Sequence, residues 1–404
     1  MRLDRDFLDG QRGVSDPQAD ALVAAVFEAD PGATSLELII DLVRTGNSAH
    51  SELQTRWQAF CLSQDIGQVD WEAVARAENV FRRWGPQIVL SLCFGSLAGG
   101  YAATHIAHML LGVSRLESDP QRRVFETAQM LFDVLGPGGL SSGGKGRMTC
   151  ERVRLMHAGV RHLLEYHPRS GPGGNEIRTP NGDLAWDFSW GKPVNQELMA
   201  GTILTMSAQV LECLNTQGVR LSEEDQWAYV YTWFVVGRLI GVQPQLVPTT
   251  LEEARQFWQV TKERQFDYSA EAAEIEQHLL DATASLIPMR GLRFIPRALV
   301  WWLNGPEVAR MVGLAPLRWH ERVGFTGWLA AERAVSWLEV RNRFVRRRLG
   351  SAGTKSIQRL HGRKMGHERA PFSVPRDLAG EFGVSPAGGE RGAIFHRRPR
   401  EPRG

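Results

Sequence analysis

The stretch ERVRLMHAGVRHLLEYH, Glu151–His167, decides how the chain is read. Val153, Val160 and Leu164 fall together on one side of an α-helix, the period expected of an amphipathic segment. Its polar residues are less ordinary. Arg154, His157 and Arg161 stand at i, i+3 and i+7, on a face beside those apolar positions. Two guanidinium groups nearby disfavour an imidazolium, so the ring is expected to be neutral. A neutral imidazole is a metal ligand. Arginines one turn to either side suit the propionates of a porphyrin or another bound anion. The same spacing also serves a core histidine whose arginines make internal salt bridges. The pattern alone leaves both readings open.

Helical periodicity continues outward in both directions. Asp16–Asp30, Ser35–Arg44, Ala49–Ser63 and Asp70–Trp84 precede the stretch, the last closed by Gly85-Pro86. Asp119–Leu135 carries an apolar stripe of Val124, Ala128, Leu131 and Val134 and stops at GPGGLSSGGKG, Gly136–Gly146. Thr149 then reads as the N-cap of a helix over Met148–His167. Pro168–Lys192 lacks helical character and suggests a short β-hairpin around Asn181-Gly182. Helices resume at Asn195–Gln217, Ser222–Ile240, Leu251–Arg264, Ala270–Leu286, Leu292–Val312 and Leu317–Leu349. Few segments alternate with period two, so the fold class is all-α.

Charge divides the 404 residues into two parts. The whole chain has 47 Lys+Arg and 45 Asp+Glu. From Arg341 to Gly404 there are 16 basic and 5 acidic residues, a net of +11, against −9 for the preceding body. An acidic body excludes a global grip on nucleic acid, so no specific nucleic-acid partner is expected. Residues 1–349 read as a single helical domain. Residues 350–404, basic and rich in Pro and Gly, read as a poorly ordered tail. Trp328–Leu349 is aromatic and basic. It suits packing on the core with its arginines at a solvated helix end, or peripheral membrane contact through the basic C-terminal region.

Cys61, Cys93, Cys150 and Cys213 form no CxxC pair, which argues against a disulfide framework and a structural zinc site. The opening MRLDRDFLDGQRG has no apolar core of a signal sequence, so a cytoplasmic setting is expected. Trp84–Ser114 contains no Asp, Glu, Lys or Arg. Gly99, Gly100, the serines, His105 and His108 dilute its second half, so it reads as a buried helix pair rather than a membrane span. His105 and His108, spaced HxxH, read as core or pocket histidines.

Four stretches in register resemble one family. RVRLMHAGVRHLL is similar to the haem-ligating helix of the mpaB/rubber-oxygenase family, which includes latex-clearing proteins. Its pattern R-x-x-H-x-x-x-R-H is met by Arg154, His157, Arg161 and His162. RRVFETAQMLFDVLGPGGL (Arg122–Leu140) resembles the preceding R-x-x-[KE]-T helix. PVNQELMAGTILTMS (Pro193–Ser207) resembles the following NQE-x-x-AGT helix. YTWFVVGRLIGVQPQLVPTTLEEA (Tyr231–Ala254) resembles the later VGRLLGV-like segment. The likeness covers a family-like core of about residues 80–316.

The resemblance implies a globin-like helical core around haem b, with additional N- and C-terminal helices and a short irregular or β-hairpin insert. It implies an oxygenase that acts with O₂ on a small apolar, isoprenoid-like substrate. His157 matches the proximal iron ligand. Arg154, Arg161 and His162 match residues that surround it, and Arg123, Glu126 and Thr127 match the distal side. Glu126 departs from latex-clearing proteins, whose lysine at that motif position can ligate the iron. An acid or base role over bound oxygen, or a pairing with Arg123, suits a glutamate instead. With no export signal, polymeric rubber is a poor substrate expectation. A haem sensor without turnover and a cofactor-free helical scaffold are the competing classes.

Overall fold

The computed structural model describes residues 3–29, 38–39, 41–42, 45–47, 51–62, 66–113, 120–166, 172–178 and 184–341. The tail at 350–404 and most of the helix expected over Ser35–Arg44 lie outside them. The described elements begin with α1 (Arg5–Arg12), α2 (Pro17–Ala29), α3 (Ser51–Leu62) and α4 (Trp71–Ser91). A π-helical turn (Leu92–Ser96) leads into α5 (Leu97–Ala102) and α6 (Thr104–Val113). Then come α7 (Pro120–Leu135), α8 (Lys145–Tyr166) and the strands β1 (Glu176–Arg178) and β2 (Leu184–Asp187). The chain continues as α9 (Gln196–Met206), α10 (Ala208–Thr216), α11 (Glu223–Leu239), α12 (Leu251–Gln265), α13 (Ala270–Ser285), α14 (Ile295–Met311) and α15 (Trp319–Arg341).

The fold is all-α and, among the described residues, one antiparallel strand pair stands at the expected place. Ile177 lies opposite Trp186, and both are fully buried where the hairpin covers α6. Helix starts follow side-chain chemistry. Asp70, Asn195, Ser222, Thr250 and Ser269 each accept a backbone N–H of the turn they open, which satisfies donors the helix itself cannot.

Three expected boundaries differ. Gly85-Pro86 does not end α4. Trp84 leaves helical geometry (φ −117°, ψ 18°) and the helix restarts. Pro86 then lies in the first turn of the restarted segment, where a missing N–H is tolerated. Thr149 is not an N-cap. The helix already begins at Lys145, and the Thr149 hydroxyl donates to Asp133 Oδ2 at 3.0 Å. The helix expected over Asn195–Gln217 breaks at Ser207 (φ −115°, ψ −78°) into α9 and α10.

The principal core surrounds Trp186, Trp233, Trp258 and Phe257, all essentially inaccessible. A second apolar cluster joins α5, α6, α13 and α14 around Tyr101, Ile275, Leu279 and Val300. Phe325 and Trp328 of α15 pack on each other, and Phe325 also meets Trp302 of α14, so the first turns of α15 lie against the body. No helix of the described residues is long and apolar enough to cross a membrane.

Candidate functional site

Helices α7 and α8 form a tight hairpin because glycine occupies their crossing. A Cβ on Gly146 would sit 2.6 Å from the Asp133 carbonyl oxygen and 2.7 Å from Val134 Cα. Gly139 and Gly144 in the connection are equally confined by backbone, at 2.1 Å and 2.3 Å. The Gly-rich exit is therefore dictated by close approach of the two backbones.

His157 follows Gly146 by eleven residues, close to three whole turns, so it lies on the face of α8 turned to α7. Counting the same rise back along the antiparallel α7 from Asp133 and Val134 reaches residues 122 and 123. The first turns of α7, which carry Arg123, Glu126 and Thr127, thus stand level with His157. For those three residues only the backbone is described. The His157 ring is half-buried, while Cys150, Val153, Val160 and Leu164 on its side of α8 are buried.

The flanking arginines face elsewhere. Arg154 Nε and Nη2 donate to Asp16 Oδ2 and Oδ1 at 2.6 and 2.9 Å, and Nη2 also donates to Gln18 Oε1 at 3.0 Å. The guanidinium lies over the Phe60 ring at 4.9 Å. Arg161 Nε donates to Asp20 Oδ1 at 2.7 Å, and Nη1 donates to the Val194 carbonyl at 3.2 Å. Asp16 and Asp20 are one turn apart at the start of α2. Two charge-assisted contacts therefore join α2 to α8. Both arginines are engaged by carboxylates of the chain itself, Arg154 fully through Asp16 and Gln18, whereas Arg161 Nη2 is buried without a hydrogen-bond partner.

His162 lies about 140° round α8 from His157. Its ring stacks on Phe27 at 4.2 Å and meets Tyr166 at 4.4 Å. Burial holds its pKa below the ordinary imidazole value. The four-residue pattern is thus split three ways, with His157 toward α7, the arginines toward the α2 aspartates and His162 toward Phe27.

The NQE stretch proves to be a fastening. Asn195 caps α9 through Oδ1 and donates to the Lys192 carbonyl. Gln196, fully buried, donates to the Ser15 and Gly241 carbonyls and accepts from Gln243 N. Glu197 takes Arg12 Nε at 2.6 Å and Arg264 Nε at 2.7 Å. One short motif therefore ties α1, α9 and α12 together. Reading the sequence alone missed Asp16, Asp20 and Glu197, since their partners are distant in the chain.

It also missed Glu276. This residue lies on the buried stripe of α13 with Ala272, Ile275, Leu279 and Leu280. Its side chain is fully buried, and neither carboxyl oxygen has a hydrogen-bond partner. Burial pushes its pKa up to about 8. A glutamate inside a three-four apolar stripe was the available signal. On α6, His105 stacks on Trp190 at 4.6 Å, and His108 approaches the same ring at 5.1 Å. Burial, then the nearby Arg12 charge, brings His105 down to about 4. His108 Nε2 lies 3.5 Å from Glu271 Oε2.

A family model described as ER-bound oxygenase mpaB/B'/Rubber oxygenase, catalytic domain, matches residues 82–337. The curated "Rubber oxygenase" of Streptomyces sp. (strain K30) is 26% identical over 215 residues, which cover 52% of this chain and 48% of that protein. The chain thus spans about half the length of the curated relative it matches. A solved latex clearing protein, LCP in the closed state, superposes with a TM-score of 0.63 at 20% identity, over 95% of this chain and 94% of that one. At that identity the likeness is one of fold.

Proposed function

The chain belongs to the mpaB/rubber oxygenase family, and from that premise we propose that it is a haem b-dependent oxygenase. It uses O₂ to oxidise or cleave a carbon–carbon double bond of a small apolar, isoprenoid-like substrate. One juxtaposition supports this reading above the others. His157 is on the face of α8 turned to α7, level with the turns that carry the R-x-x-E-T motif. The donor chemistry fits an iron porphyrin. A half-buried imidazole beside buried Val153, Val160 and Leu164 is a donor that can ligate iron. Haem, when bound, supplies the activation of O₂.

The chain's own residues set the conditions. His157 would hold the iron. Asp16 and Asp20 fix Arg154 and Arg161, and so fix the rotation of α8 and the aim of His157. Val153, Val160 and Leu164 exclude water from that side. Arg123, Glu126 and Thr127 form the opposing motif on α7. Glu126 holds or releases a proton at its carboxyl group, a capacity that lysine at this position would exercise at a much higher pH.

Glu126→Gln is expected to leave haem content unchanged and to lower turnover about 100-fold, a typical loss for a positioned acid or base. Oxygen uptake with a farnesyl- or geranyl-type alkene measures this, and equal rates would remove the role. The function itself is tested by product analysis under isotopically labelled dioxygen. Label in a cleaved or oxygenated alkene supports the oxygenase. Reversible O₂ binding with the alkene untouched would place the chain among haem sensors.

A further inference from the structure

A cleft of about 540 Å³ opens between α10, α11 and α12, helices that carry none of the residues assigned to haem. That volume lies in the range of small-molecule sites. Leu214, Val230, Ala254 and Trp258 of its lining are buried, and Leu211 and Leu221 are half-buried around them. The wall is therefore largely apolar.

The charged lining consists of Glu212, Arg220 and Arg255. Glu212 is already paired, since Lys262 Nζ donates to it at 3.2 Å. The two arginines meet mainly neutral acceptors. Arg220 Nη1 donates to the Asn215 carbonyl at 3.3 Å, and Arg255 Nη2 donates to Gln226 Oε1 at 3.0 Å. The Arg255–Glu252 approach is stretched to 4.0 Å, and Glu252 Oε1 instead accepts from Gln256 Nε2 at 3.0 Å. Gln226 links the two sides of the rim, because its Nε2 donates to the carbonyl of Leu221, the neighbour of Arg220. The rim thus presents two exposed arginines, only one of them in a long ion pair, above an apolar wall.

We propose that this cleft binds a single-chain amphiphile ending in a carboxylate, with its chain against Leu211, Leu221 and Trp258 and its head between Arg220 and Arg255. Guanidinium groups recognise a planar carboxylate through paired N–H donors, while the apolar wall gains from covering the chain. The occupant has no bearing on whether haem binds at His157, so either assignment can fail alone.

Calorimetric titration of the full-length protein with dodecanoate, kept below its micelle concentration, tests this. One saturable site is expected, with dodecanol at least tenfold weaker. The double variant Arg220→Ala/Arg255→Ala should keep its circular dichroism and melting temperature and bind dodecanoate at least tenfold more weakly. Absence of saturable binding, dodecanol bound as tightly as dodecanoate, or full affinity in the double variant would each overturn the assignment. Dodecyltrimethylammonium, a cationic probe of the same chain length, is expected not to bind. Binding equal to that of dodecanoate would show a cleft indifferent to head-group charge and would overturn it as well.

Discussion

Glu276→Gln should be more stable than the parent protein at pH 8 and should lose the parent's decline in stability between pH 4.5 and 8. In the folded chain the Glu276 carboxyl keeps its proton up to about pH 8, because burial penalises the anion. In the unfolded chain the same group ionises near its ordinary value of 4.5. Below pH 4.5 both states hold the proton and the group is neutral in its effect. Above it the unfolded state releases a proton that the folded state retains. Stability therefore falls by about 1.4 kcal/mol per pH unit and approaches a loss of about 5 kcal/mol at pH 8.

Glutamine keeps the size and removes the titration, so the difference between variant and parent grows steadily with pH. His105 acts in the opposite sense at acid pH, where the unfolded chain takes up a proton that the buried ring refuses. It is common to both proteins and cancels in the difference. Chemical denaturation at a series of pH values supplies the measurement. Parallel curves for variant and parent would mean that the carboxyl is solvated or paired. Glu276→Leu should stabilise further at pH 8, since it also removes the unsatisfied polar group.

Asp16→Ala should cost about 3–5 kcal/mol, the usual loss when one member of a buried ion pair is deleted. The Arg154 and Asp16 side chains are only 8% and 4% exposed. Deleting the carboxylate strands a guanidinium that has lost both charged bonds. Asp16→Ala combined with Arg154→Met should recover much of that loss, because no buried charge is left unpaired. Denaturant unfolding of the two single variants and the double variant closes the cycle. A single-variant cost under about 1 kcal/mol, typical of exposed pairs, would contradict the rivet between α2 and α8. The same variants separate two functions for Arg154. A helix-orienting arginine matters to stability with or without cofactor, whereas a propionate clamp would matter only when haem is bound.

What could be read from the sequence was governed by local physics. The apolar periods of Asp16–Asp30 and Asp70–Trp84 announce helices because the relevant forces act within one or two turns. The hairpin around residues 176–187 was legible for the same reason. The continuation of α4 through Pro86 was not, because it depends on one residue, Trp84, stepping out of helical geometry so that proline falls in a first turn. The α7–α8 hairpin was legible as two helices and a Gly-rich exit, but the closeness of the crossing at Gly146 appears only with both backbones in place.

The candidate site divides along the same line. His157 and the R-x-x-E-T turns were singled out by the family resemblance, and the hairpin register brings their helix positions level. The partners of Arg154 and Arg161 could not be assigned. They come from residues 138 and 141 positions away, and nothing local distinguishes a guanidinium that awaits an anion from one already satisfied. Glu197 was quoted as part of a motif, yet its work of binding Arg12 and Arg264 is tertiary. Glu276 was the opposite case. Its place in an apolar stripe could have been read from the sequence but was not, and burial with no partner is what makes that place chemically unusual.

The visible absorption spectrum of the purified full-length protein, expressed with ample haem and compared with His157→Ala, tests the central claim most directly. A Soret band from one haem b per folded chain is predicted for the parent, with most of it lost in a His157→Ala variant of unchanged circular dichroism. A parent without a Soret band, or a variant with undiminished haem, would contradict the assignment of His157 as the iron ligand.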